Sequence, residues 1–324
     1  MAQLKAVIIG CGAIAGGYDR PAGPQIMTHA KAYKSTPGVI LAACCDASRA
    51  KVRTFQEKWK IPAGFKDVRQ MLKAIKPDIV SICTPSPTHA KLIRLISRYP
   101  VRAILCEKPL AEDSNESRRL VELCRKKKKV LAVNYFRRWN GEIQQIGQAI
   151  RSNRWGRVQN VRVMYSKGVF HNASHFVNLM QEWFGKMTGV QAVASRSWKG
   201  KDLAGDFICR HERMERIYYQ YCPEKNYESF EIDMWFEKGR VELLRGGREI
   251  RFTRVEAHPQ LAGESILSSK AVLKKDVFIH STLLVVENVV RAVKGDEKLV
   301  MPAIEAVETV MICEQMERAA RHAR

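Results

Sequence analysis

Short, unbroken apolar runs recur through the first part of the chain, at residues 6–9, 39–45, 79–83, 103–106 and 130–133. Between them, apolar residues fall every three or four positions. That period predicts helices over 29–34, 49–59, 68–75, 88–97 and 115–127. Strands that are apolar on both faces, separated by helices, predict a parallel sheet covered on both sides. Residues 18–25 (YDRPAGPQ) hold two prolines and a glycine and read as a loop inserted after the first strand and its turn.

Beyond about residue 140 the pattern changes. Phe230, Ile232, Met234 and Phe236 alternate with Glu231, Asp233, Trp235 and Glu237, and similar alternation marks Val161–Tyr165, Ile217–Tyr221, and Ile250 with Phe252. A period of two predicts strands with one buried face, usually antiparallel. Pro302 opens a final helix with Ile304, Val307 and Met311 on one side. The expected architecture is an α/β domain over residues 1–134, followed by an α+β domain over 135–324 built on a large open sheet.

Composition narrows the class. The 324 residues are 46% hydrophobic and 27% charged, which suits a globular chain. No apolar run is long enough to cross a bilayer. Ile8-Ile9-Gly10-Cys11 has the look of a lipoprotein cleavage box, but the apolar stretch before Cys11 is too short for a signal peptide, so a cytoplasmic protein is expected. Nine cysteines without a C-x-x-C pair argue for reduced thiols rather than a disulfide framework or zinc site. Lys and Arg total 55 against 33 Asp and Glu, a net charge of +22. That excess attracts anions, yet no helix-turn-helix, zinc finger or aromatic-basic platform accompanies it. Nucleic acid and membrane are therefore not expected partners.

The first strand runs directly into Gly10-Cys11-Gly12-Ala13-Ile14-Ala15. In this G-x-G-x-x-A turn the first glycine allows a tight bend and the second lets backbone approach a pyrophosphate. Small Ala15 permits close packing. Asp46 ends the second strand, where an acid accepts ribose hydroxyls and repels a 2′-phosphate, so NAD is expected, with NADP as the alternative because Arg49 follows. Asp46 as a helix N-cap is the plainer reading. Thr84-Pro85-Ser86-Pro87-Thr88-His89 and Glu107-Lys108-Pro109 each follow a parallel strand, at the sheet edge where such folds place ligands.

Together these motifs resemble the Gfo/Idh/MocA family of oxidoreductases. Asn134–Trp139 resembles the family's stretch leaving the first domain, and His171–Asn178 its histidine-bearing segment. The resemblance implies a Rossmann domain, an α+β domain with a mostly antiparallel sheet, and homodimers or homotetramers. It assigns Lys108 and His175 as catalytic. It places Gly10, Cys11, Gly12, Ala13, Ile14, Asp46, Arg49, Thr84, Pro85, His89, Glu107 and Lys108 at the cofactor, and Lys108, Arg138, His171, Asn172 and His175 at the substrate. Chemistry agrees: a neutral imidazole removes a hydroxyl proton as hydride leaves, and an ammonium stabilises the oxygen's growing charge. His171 and Asn178 stand where the family has aspartates. His171 and His175 are four apart without a glutamate between them, so no metal is expected.

The expected function is hydride transfer between nicotinamide and a secondary alcohol or ketone of a sugar. Arg137, Arg138, Arg151, Arg154 and Arg157 suggest an anionic substrate, either a nucleotide-linked sugar or a sugar acid. The alternatives are a dehydrogenase of a neutral cyclitol or free sugar, and a dinucleotide sensor without catalysis.

Overall fold

The structure is a computed structural model that describes residues 3–198, 202–225 and 227–323. They form two compact units. The first takes Met1–Trp139 and Ile279–Val310; the second takes Asn140–Phe278 and Met311–Arg324. The sequence reading expects a single passage at residue 134, whereas the chain passes between units three times.

In the first unit, β1 (Leu4–Ile9), β2 (Val39–Cys45), β3 (Ala63–Phe65), β4 (Ile79–Ile82), β5 (Ala103–Cys106) and β6 (Val130–Val133) form a parallel sheet in the order β3-β2-β1-β4-β5-β6. The order reverses between β1 and β4, which opens a crevice at their carboxyl ends. Helices α1 (His29–Ser35), α2 (Arg49–Trp59), α3 (Val68–Ile75), α4 (His89–Ile96) and α5 (Ser114–Lys126) connect the strands. Ser48, Asp67 and Asp113 cap three of them, accepting from the N–H groups of Lys51, Gln70 and Glu116 at 3.4, 2.8 and 2.7 Å. Lys60 and Lys76, both left-handed, end α2 and α3. A helix at residues 281–294 supplies Val285, Val286, Val289, Val290 and Val293 to this unit's core. The sequence reading leaves that helix out because valine has low helix propensity; burial of its apolar side holds it.

In the second unit, α6 (Gly141–Arg151), β7 (Val158–Tyr165), α7 (Ser174–Phe184), β8 (Met187–Ser197), β9 (Leu203–His211), β10 (Met214–Tyr221), β11 (Phe230–Phe236), β12 (Gly239–Leu244), β13 (Glu249–Ala257) and β14 (Ser265–Lys274) follow in turn. The eight strands form one sheet, β14-β13-β12-β11-β7-β10-β9-β8. It is antiparallel except for the parallel β7–β10 pair. Along β11 the expected alternation holds: Phe230, Ile232, Met234 and Phe236 are buried. The chain ends in α8 (Ser281–Lys294) and α9 (Ala303–His322), α9 beginning in the first unit's residues and ending in the second's. No helix among the described residues is long and apolar enough to cross a membrane.

Candidate active site

In the first unit the chain leaves β1 through Gly10, whose φ of +93° suits glycine. A Cβ there would lie 2.7 Å from the Cys83 carbonyl carbon and oxygen. Gly12, by contrast, faces open space: a Cβ would meet nothing within 4 Å. A wide single turn follows at Ala13–Gly17, with the N–H groups of Gly17 and Tyr18 bonded back five residues to the carbonyls of Gly12 and Ala13. Lys58 closes its far end, donating to the Gly16 and Gly17 oxygens at 2.8 and 3.2 Å. The closest approach to a helix falls on Gly16, which abuts the Trp59 and Phe55 rings, while Ala15 is fully buried. The turn leaves its leading N–H groups and the space before Gly12 to an anion, which fits a pyrophosphate.

Asp46 braces this turn. Its Oδ2 accepts from Cys11 N–H and its Oδ1 from Ser48 N–H, both at 2.9 Å. The N-cap of α2 is Ser48, so the plainer reading of Asp46 gives way to a link between the second strand and the phosphate turn. Each carboxylate oxygen keeps a lone pair for a ribose hydroxyl. Arg49 is exposed at the start of α2.

Across the crevice, Thr84 and Pro85 lead into a one-turn helix, and His89 is buried at the start of α4. The His89 ring lies between two carbonyls, with Nδ1 2.7 Å from Pro109 O and Nε2 2.8 Å from Thr84 O. Both partners only accept, so the ring makes both bonds when each nitrogen carries a proton. His89 thus joins the turn after β4 to the turn after β5, where the Lys108–Pro109 peptide is cis. Glu107, 13% exposed at its side chain, receives hydrogen bonds from His29 Nε2 at 2.9 Å and Asn134 Nδ2 at 2.6 Å. Burial pushes its carboxyl up, but the bond from His29, the Asn134 amide and the Lys108 charge outweigh it and hold the group below the usual carboxylate range. The sequence reading misses His29, although it starts a helix immediately after the inserted loop.

In the second unit, His171 and Asn172 sit on the turn Val169–Ala173, and His175 lies in the first turn of α7. His171 is exposed, Asn172 half-buried and His175 buried, with its ring 6.1 Å from that of Phe230. Asp202, the acid the sequence reading lacks, reaches this turn from 31 residues away. Its oxygens accept from Phe170 N–H and His171 N–H, each at 3.0 Å. Trp198 packs beside His171 at 5.0 Å and donates to Glu224 at 2.5 Å; the Tyr221 hydroxyl donates to the same carboxylate at 3.2 Å.

Several arginines of the expected anion rim already hold acids. Arg138 is buried and donates to Glu305 at 2.7 Å. Arg151 meets Glu182 at 2.8 Å and Arg157 meets Glu237 at 2.7 Å. Burial alone pushes Arg137 down to about 9, and its guanidinium lies 4.5 Å from the Phe136 ring.

Comparison with known proteins agrees with this geometry. Residues 4–135 match the model of the GFO_IDH_MocA oxidoreductase family, described by its NAD-binding Rossmann fold. The D-apiose dehydrogenase of Paraburkholderia graminis is 30% identical over 235 residues, 65% of this chain and 58% of that protein. The D-glucoside 3-dehydrogenase of Escherichia coli is 29% identical over 155 residues, 48% of this chain and 41% of that protein. The chain thus spans about half the length of these curated relatives. The WlbA dehydrogenase of Chromobacterium violaceum, solved with NADH and UDP-GlcNAcA, shares the fold at a TM-score of 0.80 and 20% identity, covering 100% of this chain and 95% of that one. The part of the chain that carries the phosphate turn, Asp46, Thr84 to His89 and Glu107-Lys108-Pro109 is thus the part that matches the NAD-binding Rossmann fold of the Gfo/Idh/MocA oxidoreductases.

Proposed function

We propose that the protein is an NAD-dependent dehydrogenase or reductase acting on a secondary alcohol or ketone of a sugar or cyclitol. The observation that carries the proposal is the open space before Gly12, beside a turn braced by Asp46. Gly12, Ala13 and Ile14 would hold the pyrophosphate and Asp46 the adenosine ribose; when bound, the nicotinamide supplies the hydride acceptor or donor. Lys108 supplies positive charge to the substrate oxygen, and His175 takes the hydroxyl proton in oxidation. Asn172 and His171 are the proposed hydroxyl contacts.

The substrate is left open between a neutral sugar and an anionic one. The ion pairs at Arg138, Arg151 and Arg157 remove much of the support for an anionic ligand. A cytoplasmic location is supported by nine free cysteines. A homodimer or homotetramer is supported by exposed Ile266, Val272 and Leu273 on β14 and Val193 on β8. The test is a screen of free sugars, cyclitols, sugar acids and UDP-sugars for NADH formation, each compared with Lys108→Ala. Parent turnover with NAD bound equally well by the variant, and a fall of about a hundredfold or more in the variant, supports the reading. NAD binding without turnover on any class would identify a sensor instead. Preference for a UDP-sugar over its free sugar, weakening with salt, would select the anionic substrate.

A further inference from the structure

His29 is fully buried at the first position of α1, and no motif of the cofactor turn includes it. Its ring bridges two polar groups: Nδ1 lies 2.9 Å from Ser81 Oγ on β4, and Nε2 lies 2.9 Å from Glu107 Oε1. Ser81 Oγ in turn lies 2.7 Å from the Tyr33 hydroxyl, one helical turn along α1. Burial pushes the Tyr33 phenol up, so it keeps its proton.

One assignment of hydrogens satisfies the whole row. Tyr33 donates to Ser81, Ser81 donates to His29 Nδ1, and His29 Nε2–H donates to Glu107, where Asn134 also donates. A second proton on the ring would make His29 Nδ1–H donate to Ser81 and Ser81 donate to Tyr33, leaving the phenol hydrogen without an acceptor in this row. At its Tyr33 end the row is fully buried, so it has no exit to water there and cannot pass a proton through from one end to the other. It fixes an orientation. What it orients is a carboxylate adjoining Lys108.

We propose that His29 is a positioning residue for the reaction: through the Tyr33–Ser81–His29 row it aims the Glu107 carboxylate and keeps it ionised, so that Glu107 holds the Lys108 ammonium in place. This rests on Lys108 serving the reacting oxygen. The groups facing Glu107 are His29 from α1, Asn134 after β6, Lys108 beside it, and the Cys83 and Cys106 thiols. Burial raises both thiols well above their ordinary range, so they stay neutral. The ionisable partner that changes with a substitution at position 29 is then Glu107 itself.

The chemistry required of position 29 is one donor toward Glu107 and one acceptor toward Ser81, and an amide offers both. His29→Gln is therefore expected to keep kcat within about threefold of the parent. His29→Leu is expected to lower kcat by about tenfold or more, the scale of one charge-assisted hydrogen bond, with NAD affinity and substrate KM nearly unchanged. Its acid limb of kcat moves to higher pH, because removing a donor raises the Glu107 pKa and activity is lost as pH falls through it. The infrared carboxyl band, assigned by its loss in Glu107→Gln, is expected to appear at higher pH in His29→Leu but not in His29→Gln. This readout needs no substrate. Should His29→Leu not fold, Ser81→Ala removes only the hydroxyl and is expected to shift the band in the same direction. Equal loss in the Gln and Leu variants, or an unmoved band in Leu and Ser81→Ala, would overturn the proposal. Lys108→Met with parental turnover would instead overturn the reading of Lys108, and loss in Lys108→Met beside a normal His29→Leu would overturn this inference alone.

Discussion

Gly10 and Gly12 share a motif but differ in what surrounds them. At Gly10 a side chain meets backbone of the neighbouring strand end and a strained φ, so Gly10→Ala is expected to cost about 1–3 kcal/mol or more, read as a lower melting temperature. At Gly12 a methyl enters empty space, so Gly12→Ala is expected to melt like the parent yet bind NAD at least tenfold more weakly by calorimetry. Parental NAD affinity in Gly12→Ala would refute the placement of the pyrophosphate. Asp46→Ala removes both the acid and the brace on Cys11, so NAD should weaken while the NADP-to-NAD preference rises, measured as the ratio of dissociation constants. The tight bend at Gly10 and the acid ending β2 were legible in the sequence because the motif is local. The engagement of Arg138 was not, because Glu305 lies 167 residues away and nothing in a run of arginines announces its acid.

At the scale of elements, the boundaries of β2, β5, β6, α2 and α3 coincide with their hydrophobic patterns, since burial on both sides leaves little choice of register. The short edge strand β3 and helix α8 escaped, one too brief to show a period and the other too rich in valine to read as a helix. The inserted loop is tied down more firmly than its prolines suggest. Asp19 accepts from the N–H groups of Met27 and Thr28 at 2.8 and 2.7 Å, and Lys31 donates to the Arg20, Pro21 and Gly23 carbonyls. Lys31→Met is expected to leave the sheet intact but make the 20–24 segment the first site cut in limited proteolysis. In the second unit, Asp202 organises the turn before α7 through two backbone bonds. Asp202→Ala is expected to cost about 1–3 kcal/mol and to lower turnover by disturbing His175, checked by chemical denaturation alongside kcat. No spacing rule connects an acid after β8 with a turn before α7, so this partner became visible only once the fold closed.

Over the whole molecule, the positive charge is unevenly shared. The first unit carries 30 Lys and Arg against 15 Asp and Glu, and the second carries 25 against 18. The excess is concentrated on the unit with the phosphate turn, so it favours the approach of an anionic dinucleotide over long distances. Stopped-flow measurement is expected to show the NAD association rate falling as salt rises, with the dissociation rate changing much less. The change of period near residue 140 falls where the chain first leaves the first unit, after Trp139. The return of residues 279–310 was not legible, because a helix seen in isolation does not say which sheet it will cover.

That return governs how the protein is made. A polypeptide emerges from the ribosome amino end first, and many Rossmann units can close while the remainder is still being synthesised. Here the valines of α8 and residues Met301 to Val307 belong to the same apolar cluster as β1 to β6. Until translation has passed residue 310, the nascent first unit therefore shows water an apolar side that only a late segment covers. The second unit's strands emerge during that wait.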